Sequence, residues 1–79
     1  MDQRDDVRRT IDREVGLVEG AIRMVATGTS PGMTVAGLRF GDEVIAMLRP
    51  AATEAGVVLE PLFPTDETGC DVHVRRADG

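Results

Sequence analysis

MTVAGLRFGDEVIAMLRPAATEAGVVLEPLF, residues 33–63, decides how this chain folds. Met33–Leu38 is a short apolar run carrying Thr34 and Val35, with Gly32 before it and Arg39-Phe40-Gly41 after it. A β-branched run between punctuated ends reads as a strand. A helix is expected to begin at Gly41-Asp42-Glu43. Asp42 has the short carboxylate of an N-cap, and Glu43 places negative charge where the helix dipole is positive. Val44, Ile45, Leu48, Ala51, Ala52 and Ala55 recur at helical spacing and form one apolar arc. Gly56 is the expected stop, and Val57–Phe63 the second strand. Pro50 falls inside the helix, where proline costs about 3 kcal/mol; it points away from the apolar arc, so a kink toward solvent is expected. Two parallel strands joined through a helix form a right-handed crossover.

On the N-terminal side, residues 1–14 are mostly charged, with Val7 and Ile11 as internal aliphatics. Val15, Val18, Ile22 and Val25 continue the same stripe, widened by Leu17, Ala21 and Met24. The pattern predicts one long helix from about Asp5 to Thr27, stopped by Gly28. Residues 1–14 read as a charged helical extension and residues 15–76 as the core of a single domain spanning 1–79. Asp5–Arg9 and Glu19–Arg23 stand at i,i+4 in the favourable order. Gly16 and Gly20 fall on the outward side, although each glycine costs about 0.8–1.0 kcal/mol against alanine in a helix. A flat strip for another helix backbone is one reason to keep them there.

Beyond the central unit, Thr65-Asp66-Glu67-Thr68-Gly69 is a polar connector suited to a hairpin. Cys70–Arg76 alternates strictly, with Cys70, Val72 and Val74 on one face and Asp71, His73 and Arg75 on the other, which is the pattern of a half-buried strand. The order is therefore α-β-α-β-β, an α+β two-layer class with a three-stranded mixed sheet and two helices on one face. Pro61 cannot donate to a ladder, so Val57–Phe63 belongs at an edge. The last strand then lies in the middle, antiparallel to both neighbours, and Met33–Leu38 is the other edge.

As topology, about Glu14–Arg76 resembles the back half of the β-α-β-α-β-β fold shared by the C-terminal domain of translation initiation factor 3, the Alba chromatin proteins and the small TusA-type sulfur carriers. The leading strand of that fold is replaced here by charged helix. The sulfur carriers' Cys-Pro-x-Pro motif is absent, since Cys70 is followed by Asp71, and lysine is absent altogether, unlike the lysine-rich surface of Alba. A shared fold carries no function by itself.

Composition narrows the function further. A chain of 79 residues with two Phe and no Tyr or Trp must build its core from Val, Ile, Leu, Met and Ala, close to the size at which one core is marginal. All nine basic residues are arginine, a bias that suggests a GC-rich bacterial genome. A lone Cys without a signal peptide points to a reducing, cytoplasmic setting, and no apolar run is long enough for a membrane span. The net charge of −5 disfavours nucleic acid as a partner. Without lysine there is no P-loop lysine or Schiff base, and one His with one Cys cannot make a Cys/His zinc site in one chain.

Candidate catalytic motifs fail their context tests. Gly28-Thr29-Ser30-Pro31-Gly32 spells a hydrolase elbow, but that motif needs a strand before it and a helix after it, the reverse of what stands here. Cys70 and His73 are three apart on a strand and point to opposite faces. Asp71 and His73 share a face and could interact. Arg39, Asp42 and Asp66, with Asp71 and His73, gather near the carboxyl ends of the parallel strands, where open α/β sheets bind ligands. They are the candidate ligand residues; no catalytic residue, metal or cofactor is expected.

The expectation that remains is a non-enzymatic interaction or assembly module: a homodimer, or an accessory subunit of a larger protein. Gly16, Gly20, Met33, Val35 and Gly37 are its candidate interface residues, because an apolar edge strand free of charge and proline is normally covered. The alternative is a nucleic-acid-binding module contacting its ligand through Arg39, Arg49, Arg75 and Arg76. A regulatory domain for a small ligand or metal comes third.

Overall fold

The computed structural model describes residues 3–62 and 70–77. Its elements run α1 (Gln3–Ala26), β1 (Gly32–Leu38), α2 (Gly41–Ala55), β2 (Val57–Leu62) and β3 (Cys70–Arg76). Phe63 and the connector with Asp66 lie outside the described residues. The strand order is β1-β3-β2, and β3 is antiparallel to both neighbours. The sheet is thus antiparallel throughout rather than mixed. β1 and β2 run parallel to one another but never meet, because β3 lies between them. Pro61 stands on the edge strand β2, opposite Val72, where its missing donor does least harm.

One face of the sheet carries the core. β3 contributes Cys70, Val72 and Val74, β2 adds Val57 and Leu59, and β1 adds Leu38. Above them lie Val18, Ala21, Ile22 and Val25 of α1 and Val44, Ile45, Leu48 and Ala52 of α2. α1 rests over β1 and β3 alike, and α2 mainly over β2. Pro50 is exposed inside α2, on the side away from this core. Gly56 ends α2 in the left-handed region, φ 76°, with its N–H turned back to the carbonyls of Ala52 and Thr53. Arg76 Nε donates to the Val25 carbonyl at 3.4 Å and the Ala77 N–H to the Gly56 carbonyl at 2.9 Å. The end of β3 is thereby tied to the last turns of both helices, and a guanidinium is well placed at a helix C-terminus.

The start of α2 differs from expectation. Phe40, not Asp42, is the N-cap residue, and it makes no side-chain cap bond. The turn is held instead by Glu14 of α1, whose carboxylate accepts the Arg39 N–H at 2.8 Å and the Phe40 N–H at 2.9 Å. Glu14 is only 2% exposed, so the last residue of the charged extension belongs to the core. Its charge lies at the N-terminus of α2, where the helix dipole is positive. Directly after this turn Gly41 meets β3: a Cβ there would stand 2.8 Å from Cys70 Cβ and Sγ. Of the possible ion pairs, the one formed among the described residues is Glu60–Arg75, on the sheet, rather than the helical pairs.

Two stability experiments follow from these contacts. Glu14→Ala leaves two backbone donors without their charged acceptor and is expected to lower unfolding free energy by about 3 kcal/mol or more, at about 1.5–3 kcal/mol per bond. Urea titration followed by circular dichroism measures it, and a loss near zero contradicts the account. Gly16→Ala and Gly41→Ala should move in opposite directions. No described residue stands within 4 Å of a Cβ at Gly16, so alanine gains about 0.8–1.0 kcal/mol of helix propensity. At Gly41 the added carbon overpacks against Cys70, at a cost of about 1–3 kcal/mol.

Candidate interaction site

β1 has β3 on one side and, among the described residues, no strand on the other. Its ladder pairs Gly32 with Arg75, Met33 with Val74, Thr34 with His73 and Val35 with Val72, then breaks; pairing resumes at Leu38 and Cys70. Ala36 and Gly37 therefore stand against the single residue Asp71, which is a β-bulge. Gly37 has φ +73°, a conformation that strains any residue with a Cβ. Its N–H donates to Asp71 Oδ1 at 3.0 Å. Gly37, a candidate interface residue, thus forms the bulge that bends the far half of the strand. The straight part of the free edge is Gly32–Val35. Met33 and Val35 there are half-buried and pack at the margin of the core.

Helix α1 continues this margin upward. Leu17 is 53% exposed and Met24 41%, large fractions for side chains so near a core. Their place follows from helical phase. α1 and α2 each run antiparallel to the strand that follows them, so they lie parallel on one face of the sheet. On α2 the flank of Arg49 and Thr53 overhangs β2. In the same sense of rotation, α1 turns Val15 and Ile22 toward α2 and turns Leu17 and Met24 outward, on the side of the free edge of β1, with Ala21 buried beneath them. Gly20 sits beside that row, between Leu17 and Met24. Gly16 points straight away from the core and lies outside the row. An uncharged band thus runs from Met33 and Val35 up to Leu17 and Met24.

The bare face of the sheet is polar. Asp71, His73 and Arg75 share it, as their alternation requires, but Asp71 and His73 serve different partners. Asp71 holds the bulge, whereas His73 Nδ1 is 3.0 Å from Thr34 Oγ1. Glu60 pairs with Arg75, whose hydrogen bond and charge hold the Glu60 carboxyl below the usual carboxylate range, with a smaller contribution from His73. The stabilisation from that pair is present at neutral pH and lost as pH falls through the depressed value.

Arg39 and Asp42 are exposed at the opposite end of the sheet from Arg75 and Arg76. Of the candidate ligand residues, Asp71 is bonded to the Gly37 N–H and His73 to Thr34, Arg39 and Asp42 are exposed just beyond the end of β1, and Asp66 lies outside the described residues. No group of three His, Cys, Asp or Glu close enough to hold a metal exists among the described residues. A cleft of about 420 Å³ is lined by Gly28, Ser30, Pro31, Arg75 and Arg76. Its polar groups are already engaged: Ser30 Oγ donates to the Gly32 carbonyl at 2.8 Å, Arg75 to Glu60 and Arg76 to Val25. Ser30 follows a helix and precedes a strand, so the hydrolase reading has no support here.

Two features of α1 leave a faint mark in the sequence. Glu14 lies on the apolar arc, four residues before Val18 and seven before Ala21, where a lone carboxylate marks a buried acceptor. Leu17 and Met24, at i,i+7, widen the apolar stripe in the sequence but lie at its exposed margin in the fold. Searches against protein-family models, curated proteins and solved structures find no match for this chain.

Cys70 is buried, and burial first, then the charge of Asp42, pushes its thiol pKa up. A raised thiol favours folding until alkaline pH and withdraws that support as pH rises through the folded value. A disulfide reagent at mildly alkaline pH is therefore expected to label native protein far more slowly than protein in urea. Equal rates would show that Cys70 is open to solvent.

Proposed function

We propose that this chain is a small non-enzymatic interaction module, working as a homodimer or as an accessory subunit, with β1 and α1 as its contact surface. The observation that carries this reading is the uncharged band along the free edge of β1, flanked by Leu17 and Met24. Free backbone donors and acceptors on a sheet edge are a template for another chain. Apolar surface beside that edge gives the added chain something to bury. The lone thiol is buried, and among the described residues His73 is hydrogen-bonded to the Thr34 hydroxyl and to no acid that would orient it as a base. These features fit a binding role better than catalysis, in a reducing, cytoplasmic setting. No helix among the described residues is long and apolar enough to cross a membrane.

The nucleic-acid reading gains little. Arg39 and the pair Arg75 and Arg76 stand at opposite ends of the sheet on a chain of net charge −5. Arg75 and Arg76 are also engaged within the fold. A gel-shift titration at low salt, where backbone affinity is greatest, is expected to show no complex at micromolar protein. A salt-sensitive shift would revive that reading.

Thr34→Lys tests the contact surface itself. Thr34 is exposed, and a lysine on a strand edge blocks added strands without disturbing the core. The variant is expected to keep its circular dichroism spectrum and lose association, whether with itself or with another protein. Full association in the variant would place the contact elsewhere.

A further inference from the structure

We infer that the free edge of β1 is covered by a second copy of this chain, joined about a two-fold axis so that β1 pairs antiparallel with β1 and α1 packs against α1. This rests on reading β1 as the contact surface and adds the identity and geometry of what lies against it.

Spacing is the first argument. Strands in a sheet stand about 4.8 Å apart. α1 rests over β1 and β3 alike, so its axis lies about half a spacing inside β1. A two-fold mate has its α1 the same distance inside its own β1. The two helix axes are then about two spacings apart, roughly 9–10 Å, within the 8–10 Å at which helices pack. One operation thus satisfies the sheet edge and brings the two exposed rows of Leu17 and Met24 together. A foreign strand alone would pair with the edge and leave both side chains bare.

Charge is the second argument. An acidic chain repels its own copies except where its surface is neutral. Gly32–Leu38 carries no charge, and between Leu17 and Met24 the outward row of α1 offers only Leu17, Gly20 and Met24. Glu19 and Arg23 lie off this row by phase, and Arg13, which is on it, stands a full turn before Leu17, outside the uncharged stretch. A two-fold contact presents the same patch on both sides, so an uncharged patch is self-complementary. The bulge sets the limit of the shared ladder: the straight segment Gly32–Val35 can pair, and the bent Ala36–Gly37 cannot continue it.

Light scattering with refractive-index detection tests this, since the chain has no Trp or Tyr to absorb. The wild type is expected at twice the 8.5 kDa of one chain. Leu17→Arg with Met24→Arg puts like charges on both sides of the axis and is expected to weaken association about 100-fold or more, given several kcal/mol for juxtaposed like charges. Both side chains are exposed, so the fold should survive, and circular dichroism checks it. Amide exchange of Met33–Val35 should slow in wild type as concentration rises and stay fast in the double variant. A wild type that is monomeric at high concentration overturns the self-pairing while leaving β1 open to a different chain. A dimer that survives both arginines, with β1 amides still fast, overturns the self-pairing and the reading beneath it.

Discussion

A three-stranded sheet has two edges, and the way this chain treats them governs everything else. Pro61 cannot give a hydrogen bond to a neighbour on its nitrogen side, so β2 must stand at the margin. β3 is then the centre and β1 the other margin. β2 carries the usual protections of an edge: a proline, and a glutamate paired with Arg75. β1 has only its bulge, and the half before the bulge is unprotected. The asymmetry between the two margins is the physical basis of the proposed pairing.

Glu14 makes that margin rigid. The carboxylate takes two backbone N–H groups from the turn between β1 and α2, and so fixes α1, the end of β1 and the start of α2 to one another. A buried carboxylate is unfavourable unless it is well bonded, and here its partners are donors at the positive end of a helix. Gly41 allows the same turn to close against Cys70, where a side chain would not fit. The position of α1 over β1, and with it the outward row of Leu17 and Met24, depends on this joint.

Much of this was legible in the residues. The strict alternation of Cys70–Arg76 gave β3 its buried and polar faces, and Pro61 with that alternation was enough to order the strands. The helix ends were legible because Gly28 and Gly56 are punctuation with a physical cause, a backbone in the left-handed region. What the letters did not disclose was long-range. Asp42 is a good capping residue by type, yet the turn is held by a carboxylate twenty-six residues upstream of Phe40, and local preference has no access to such a partner. The bulge at Gly37 has no mark in the letters, because a bulge shows only when two strands are laid in register. Among the candidate ligand residues, Asp71 is taken up by the Gly37 bulge and His73 by Thr34, contacts that show only when the strands are laid in register. Gly16 and Gly20 looked alike, and only the placement of α1 over β1 separates them.

The central claim is that β1 meets its own copy, and a mixed-isotope sample tests it most directly. One portion is labelled with carbon-13 and the other left unlabelled, and only contacts between chains are recorded by filtered nuclear Overhauser spectroscopy. The account predicts cross-chain signals between β1 backbones at Met33–Val35, and between Leu17 and Met24 methyl groups. Cross-chain signals confined to α2 or to the bare polar face of the sheet, or none at all at high concentration, would contradict it.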